Sequence, residues 1–171
     1  MAEPEKSLRA ALGSFVSGIT VITCTDADQN PRGITVSSFC SLSLEPPMLL
    51  WCLAKNAGSA DTFQNTPRFR VHVLAHDQWP VAELFASRNI DRFKRVDWSL
   101  TETGLPALEN CAAFFECSRS QVYDGGDHWI FTGLIEDFQA SNTEPLAYLR
   151  GRYALTHRGE HAESLIALQA W

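Results

Sequence analysis

Hydrophobic and polar positions alternate along several short stretches of the chain, and this spacing predicts β-strands. The predicted strands cover residues 19–25, 33–44, 48–53, 69–74, 111–118, 128–139 and 152–155. Turn-forming residues separate them, including the cluster at 26–31 and the prolines at 46 and 47. The dipeptide Gly125-Gly126 predicts a tight turn between two of the later strands.

Helical spacing is confined to a few short segments between the strands. Residues 7–18 place Leu8, Leu12, Phe15 and Val16 on one face, which predicts a short helix. Further helices are predicted over 60–65, 78–86 and 157–171, and 88–95 is interpreted as helix or loop. Many short strands with a few helices favour a mainly β protein, an antiparallel barrel with short capping helices.

The size and composition of the chain indicate one globular domain. It has 171 residues, of which 45% are hydrophobic and 20% charged. No linker or repeat divides it, so we expect a single domain over 1–171, with a flexible N-terminus at 1–6. The net charge of −6 argues against nucleic-acid binding. No apolar run is long enough to cross a membrane, and residues 1–6 lack the apolar core of a signal peptide, so we expect a cytoplasmic protein.

The cysteines and the common motifs exclude several classes of site. Five cysteines are present, an odd number without CxxC spacing, and we interpret them as buried, reduced thiols. We therefore expect no metal site. The chain lacks GxGxxG and GxxxxGK[ST], so a nucleotide cofactor would not be held in a Rossmann domain or a P-loop. GxSxG and HExxH are also missing.

A Ser- and Thr-rich stretch lies within the predicted strand 33–44. Its backbone amides and hydroxyls, at Thr35, Val36, Ser37 and Ser38, offer a groove that can bond a polar heterocycle such as a flavin ring. The alternative is a set of Thr/Ser pairs on a solvated barrel face, and composition alone favours that alternative.

The loop Lys55-Asn-Ala-Gly-Ser59 precedes a predicted helix. Its amides, the Ser59 hydroxyl and the Lys55 ammonium form a candidate phosphate site, assisted by the helix dipole. Taken alone, the simpler interpretation is that Ser59 caps the helix, and the two roles are compatible.

Among the histidines, His128 is the candidate functional residue. It follows the Gly-Gly turn and is adjacent to Asp127, whose carboxylate can orient the imidazole. His72 and His76 are interpreted as structural or solvated residues. The charged run at 91–95 is interpreted as a solvated helix face, with a basic rim that attracts anionic dinucleotides as the alternative.

The order of the motifs resembles the flavin reductase-like, FMN-binding split-barrel family over residues 8–153. The similarity is strongest to the short-chain reductases of two-component aromatic monooxygenases. The matching pieces are LRAALGSF (8–15), GITVIT (18–23), GITVSSF (33–39), SLSLEPP (41–47), WCL (51–53), the 55–59 loop, FRVHVL (69–74), RF (92–93), FEC (115–117), GDH (126–128), PLAY (145–148) and GRY (151–153). Each piece is weak alone, but their shared order is fairly specific.

This resemblance implies a homodimeric antiparallel split β-barrel with flavin near the subunit interface. It implies hydride transfer from NADH or NADPH to FMN or FAD, with reduced flavin diffusing to a partner monooxygenase. His128 would lie where nicotinamide approaches. The implied flavin contacts are Thr35, Val36, Ser37, Ser38, Cys52 and Leu53 at the ring and ribityl chain, and Lys55, Asn56 and Ser59 at the phosphate.

Two positions depart from the family pattern. The family often has Asn where His72 stands, and Arg or Asn with Ser-Thr pairs in place of the 55–59 loop. The second difference leaves the choice between FMN and FAD open. The alternative functions are an oxidoreductase on the same barrel that uses a non-flavin acceptor, and a non-catalytic flavin- or haem-binding protein.

Overall fold

The structure, a computed structural model, describes residues 3–88 and 90–156. Its helices are α1 (Glu3–Leu12), α2 (Ala60–Asn65), α3 (Trp79–Ala86) and a 3₁₀ helix (Phe93–Arg95). Its strands are β1 (Ser17–Gly18), β2 (Thr20–Thr25), β3 (Pro31–Val36), β4 (Cys40–Leu44), β5 (Pro47–Ala54), β6 (Arg68–Val73), β7 (Trp98–Leu100), β8 (Pro106–Leu108), β9 (Ala113–Gly125), β10 (His128–Ala140), β11 (Ala147–Leu149) and β12 (Arg152–Ala154).

A seven-stranded antiparallel sheet in the order β3-β2-β6-β9-β10-β5-β4 forms the body of the protein. Strands β9 and β10 make its longest hairpin, and the turn between them contains Gly126 with a positive φ of 79°. The two ends of the sheet meet where the hydroxyl of Ser38, just after β3, bonds the backbone of Cys52 in β5. The predicted mainly β, antiparallel architecture is confirmed.

The interior of the barrel is an aromatic core. The rings of Trp51 and Phe131 stack with centroids 4.4 Å apart, and Phe63 of α2 meets Trp51 edge-on at 5.1 Å. All three side chains are fully buried, and each stabilises the fold by about 1.5–3 kcal/mol on general transfer values. This core fixes α2 and the end of β5, which flank the candidate site.

A second core cluster lies between the sheet and α3. Phe85 of α3 packs there with Val21, Leu74 and Leu146. The close approach requires a glycine at position 33, since a Cβ atom there would lie 2.5 Å from the Phe85 ring. Thus α3 packs directly onto β3.

The helix predicted over 7–18 is wrong in its bounds. Helix α1 runs over Glu3–Leu12, and Ser17–Gly18 is instead a short strand that pairs with β11. The chain leaves the helix after Gly13, whose N–H still donates to the carbonyl of Arg9. The four apolar residues that the prediction placed on one face are exposed in the described chain, with exposed fractions between 53% and 82% for Leu8, Leu12, Phe15 and Val16.

The continuous strand predicted over 33–44 is also wrong. Strand β3 ends at Val36 and β4 begins at Cys40, because the chain bends at 37–39 where the barrel closes. Strand β9 extends seven residues beyond the predicted end at 118, to Gly125. The helix at 60–65 is confirmed residue for residue. The helix predicted over 157–171 lies outside the described residues.

None of the described helices combines the length and the apolar character needed to cross a membrane.

Candidate functional site

The loop at 55–59 and the β9–β10 turn lie side by side in the structure. His128, the first residue of β10, is opposite Ala54, the last residue of β5. The N–H of Lys55 donates to the carbonyl of Asp127 at 2.9 Å. Antiparallel pairing of β5 with β10 thus brings together the two segments that the sequence singled out separately.

His128 is held by its neighbour in the turn. Its Nδ1 lies 2.6 Å from Oδ1 of Asp127, while the ring is 44% exposed. The hydrogen bond to His128, followed by the charge interaction with it, lowers the pKa of Asp127. Nδ1 is engaged by Asp127, whereas Nε2 makes no hydrogen bond to any of the described residues and is available for a ligand.

The side chain of Lys55 points to the hairpin. Its Nζ lies 2.6 Å from Oδ2 of Asp124 in β9 and 4.6 Å from the centre of the Trp129 ring. Lys55 was predicted to bind phosphate together with Asn56 and Ser59. In this structure its ammonium is engaged elsewhere, and it does not line the cavity that these two residues share.

Asn56 and Ser59 line a cavity of about 680 Å³ between β3, α2 and the end of α3. The Ser59 side chain makes no capping hydrogen bond to α2, so its hydroxyl is not used by the helix. None of the hydrogen bonds of the described residues uses the backbone N–H groups of Asn56, Gly58 or Ser59. These donors make the loop side of the cavity suited to an anion.

Three arginines, Arg32, Arg88 and Arg92, line the same cavity. Arg92 donates to the carbonyls of Gly33 and Ser87, and its buried Nε has no partner among the described residues. Burial lowers the pKa of its guanidinium. Arg88 is exposed at the rim, and Arg32 forms an ion pair with Asp26 at 2.7 Å.

Sequence reasoning missed Arg32 and Arg88. It included Arg92 in the charged run, interpreted as a helix face or a basic rim, and in the matching piece RF (92–93), without assigning it a contact. Only the run itself was visible in the sequence, because positions 32, 88 and 92 meet through the packing of α3 on β3.

The residues predicted to contact the flavin ring lie at the junction between β3 and β5. Two of their hydroxyl groups, however, already form hydrogen bonds to the protein backbone. The Thr35 hydroxyl donates to the carbonyl of Ala82 at 2.7 Å. The Ser38 hydroxyl accepts from the Cys52 N–H at 2.9 Å and donates to its carbonyl at 3.0 Å. Burial raises the pKa of the Cys52 thiol, which keeps it neutral at ordinary pH.

The remaining members of this group differ in exposure. Ser37 is exposed, Val36 packs against the barrel core, and the Leu53 side chain is 2% exposed. Among these three, therefore, only Ser37 presents a polar side chain to a ligand. Leu53 can contribute only backbone groups.

The protein-family model described as "Flavin reductase like domain" matches residues 12–157. The reductase component of a flavin-dependent trigonelline monooxygenase from Acinetobacter baylyi is 38% identical over 148 residues, which cover 86% of this chain and 48% of that protein. The NADH-dependent FMN reductase SmoA of Agrobacterium fabrum is 37% identical over 151 residues, covering 88% of this chain and 86% of that protein.

Solved structures show the same fold. The NADH:FAD oxidoreductase SgcE6 of Streptomyces globisporus, in complex with NAD and FAD fragments, superposes with a TM-score of 0.85. It is 35% identical, and the match covers 92% of this chain and 96% of that one. Not every match extends so far: this chain spans about half the length of two of the curated relatives it matches, at 48% each, and 64% of a third.

Proposed function

This chain belongs to the family of flavin reductase like domains, and we propose that it is an NAD(P)H:flavin oxidoreductase. It transfers a hydride from NADH or NADPH to FMN or FAD and supplies the reduced flavin to a partner monooxygenase. The observation that carries the proposal is the cationic cavity of about 680 Å³ beside the turn that holds His128.

The residues of the cavity fit the phosphate of a flavin nucleotide. A protein with a net charge of −6 needs a local group of donors to bind an anion. Asn56, Ser59 and the free loop amides provide hydrogen bonds, and Arg88 provides an exposed cation. The buried Nε of Arg92, which has no partner among the described residues, is a further donor that a bound anion would satisfy.

The flavin ring is assigned to the junction of β3 with β5. We propose that Thr35, Val36, Ser37, Ser38, Cys52 and Leu53 contact the ring and the ribityl chain, mainly through backbone groups. A bound flavin supplies an N5 atom that accepts a hydride from C4 of the nicotinamide. The task of the chain is to hold two flat rings in contact and to exclude solvent, and this needs no proton donor.

His128 is assigned to the nicotinamide side. Asp127 engages its Nδ1, so the imidazole is held in one orientation with Nε2 directed to a ligand. A half-exposed imidazole opposite Ala54, which itself lines the cavity, suits a substrate that enters and leaves in each turnover.

We further propose a homodimer. The exposed apolar residues of α1 and the segment after it, Leu8, Leu12, Phe15 and Val16, form a surface of the kind that protein interfaces cover. Light scattering should give the mass of two chains, and Leu12→Glu should shift it toward one.

All five cysteines are free, which supports the cytoplasm as the compartment.

The test is oxidation of NADH and NADPH by the purified protein, followed by loss of the nicotinamide absorbance, with and without added FMN or FAD. Oxidation that saturates with added flavin supports the proposal and identifies the preferred flavin and nucleotide. Flavin binding without oxidation would instead indicate a non-catalytic flavin-binding protein. Oxidation that depends on another acceptor, and not on free flavin, would indicate the alternative oxidoreductase.

A further inference from the structure

The position of the Lys55 ammonium has a consequence for the nicotinamide side of the site. Residues Leu53, Trp129 and Asp124 lie side by side on β5, β10 and β9. From just beyond β5, the Lys55 side chain reaches back across the Trp129 ring to the Asp124 carboxylate. It thereby spans the central strand of the three.

The Asp124 carboxylate serves both this contact and the turn. Its Oδ2 accepts from Lys55, while its Oδ1 accepts from the N–H of Gly126 at 3.1 Å. The hydrogen bond from Lys55, the largest cause, lowers the pKa of Asp124, so its carboxylate is charged at neutral pH. One carboxylate therefore connects the loop cation to the backbone of the turn.

A second connection runs through the backbone. The Lys55 N–H donates to the carbonyl of Asp127, and the Asp127 carboxylate engages His128. The 55–59 loop is thus attached to the turn on both sides of Gly126. A change in either attachment would move the imidazole relative to the cavity that Asn56 and Ser59 line.

We propose that Lys55 is a positioning residue, paired with Asp124, that holds the His128 turn against the 55–59 loop and so sets the affinity for the nicotinamide nucleotide. The inference rests on the proposed function and assigns Lys55 a role different from the phosphate contact that the sequence predicts. The phosphate charge is met by the arginines of the cavity instead.

Riboflavin distinguishes the two roles, since it carries the flavin ring and ribityl chain without the phosphate. A phosphate ligand affects FMN binding and leaves riboflavin binding unchanged. A positioning residue affects neither flavin strongly, but raises the KM for the nicotinamide nucleotide. The Asp124 carboxylate is negatively charged and does not bind phosphate. Substitution of Asp124 should therefore have the same effect as substitution of Lys55 only if the two residues act as a pair.

The experiment compares Lys55→Met, Asp124→Asn and the double variant with the wild-type protein. Each single variant should raise the KM for NADH about two- to tenfold, as expected for loss of a half-exposed ion pair and a cation–π contact. The double variant should be no worse than the more affected single variant, because both remove the same interaction. Lys55→Arg keeps a cation over Trp129 and should restore the wild-type KM.

Glu136→Gln is the matched control. Glu136 of β10 forms a partly exposed ion pair with Arg68 of β6, away from the turn, and its loss should leave the KM for NADH unchanged. The proposal is overturned if Lys55→Met weakens FMN binding several-fold with riboflavin binding unchanged, while Asp124→Asn has no effect.

Amide hydrogen exchange gives a readout that does not depend on activity. Both single variants should accelerate exchange at residues 55–59 and at 125–128, whereas Glu136→Gln should not. Unchanged exchange in both would contradict the positioning role. If the wild-type protein oxidised no NADH, the proposed function would fail, but the exchange data would still decide whether the pair holds the turn.

Discussion

The hydroxyl of Thr35 donates a hydrogen bond of 2.7 Å to the carbonyl of Ala82, the fourth residue of α3. This bond attaches α3 to β3 within the stretch expected to contact flavin. The hydroxyl therefore has a structural role that the alternation of the strand did not reveal, and its contribution to stability can be separated from its contribution to binding.

Removing the Thr35 hydroxyl should lower the stability of the fold and leave the flavin affinity nearly unchanged. In Thr35→Val the Ala82 carbonyl loses its donor, and the free energy of unfolding should fall by about 1–2 kcal/mol. Urea denaturation measures this loss, and fluorescence titration should show an FMN affinity within about twofold of wild type. Thr35→Ser keeps a hydroxyl and is the control. A large loss of FMN affinity with unchanged stability would show that the hydroxyl binds the ligand instead.

Gly33 should tolerate no side chain. The Cβ atom of Gly33→Ala would lie 2.5 Å from the Phe85 ring and 3.3 Å from that of Phe93, so the aromatic side chains would have to shift. Overpacking of this kind costs about 1–3 kcal/mol, to be measured by urea denaturation. Gly58→Ala is the control for stability, because a Cβ atom there meets nothing within 4 Å. Equal stability of the two variants would contradict the expected clash.

Arg88→Gln tests the cation of the cavity. We expect the variant to bind FMN about tenfold more weakly and riboflavin as well as the wild type does, because the charge-assisted contact involves only the phosphate. Fluorescence titration with both flavins gives the ratio. Lys94→Gln removes an exposed cation of the same region that pairs with Asp91 and does not line the cavity. Equal losses for both flavins would place Arg88 at the ring instead.

His128→Ala should act on the nucleotide more than on the flavin. The imidazole is half-exposed and held by Asp127, so its removal should raise the KM for NADH about tenfold with a smaller change in flavin affinity. Steady-state kinetics and flavin titration separate the two effects. His76→Ala, in an exposed turn, is the matched control. A larger effect on flavin affinity than on the KM would contradict the nicotinamide role.

Local chemistry predicted the elements that depend on local contacts. Loop residues followed by a short polar-apolar segment were enough to predict α2 with its bounds, and β-branched alternation predicted β2 and β6 within a residue or two. The strand over 33–44 failed because its bend is set by a distant partner. Ser38 closes the barrel on Cys52, fourteen residues away, and no periodicity encodes that contact.

In the candidate site, too, residues that are close in the sequence could be predicted, whereas contacts between distant segments could not. Asn56 and Ser59 could be proposed from the sequence as phosphate contacts because they share one loop with recognisable anion-binding chemistry. The arginines at 32, 88 and 92 lie in separate segments and meet only because Phe85 packs on Gly33. The contact of Lys55 with Asp124 could not be predicted for a similar reason, since this carboxylate lies 69 positions away in the sequence.

The buried His72 should make the stability of the protein depend on pH. Its ring lies fully buried between β2 and β8, where Nδ1 donates to the carbonyl of Val21 at 3.1 Å and Nε2 accepts from the N–H of Leu108 at 3.0 Å. Only the neutral ring can accept at Nε2. Burial, the largest cause, lowers the pKa of His72 from 6.5 to about 3.

This difference fixes the direction of the pH effect. Above pH 6.5 the ring is neutral in both the folded and the unfolded chain, so its full contribution to stability is present. Between pH 6.5 and about 3 only the unfolded chain takes up the proton, so stability falls as the pH falls. The slope for one such group is about 1.4 kcal/mol per pH unit.

Urea denaturation at pH 7 and pH 5 of the wild type and of His72→Asn isolates this contribution. Asparagine retains one donor and one acceptor without titrating, although it fills less of the space. From pH 7 to pH 5 the free energy of unfolding of the wild type should fall by about 2 kcal/mol more than that of the variant. The two proteins have all their other titrating groups in common. Carboxylates with lowered pKa, such as Asp26, contribute mainly below this range. Equal losses in the two proteins would mean that His72 is charged in the fold or accessible to solvent.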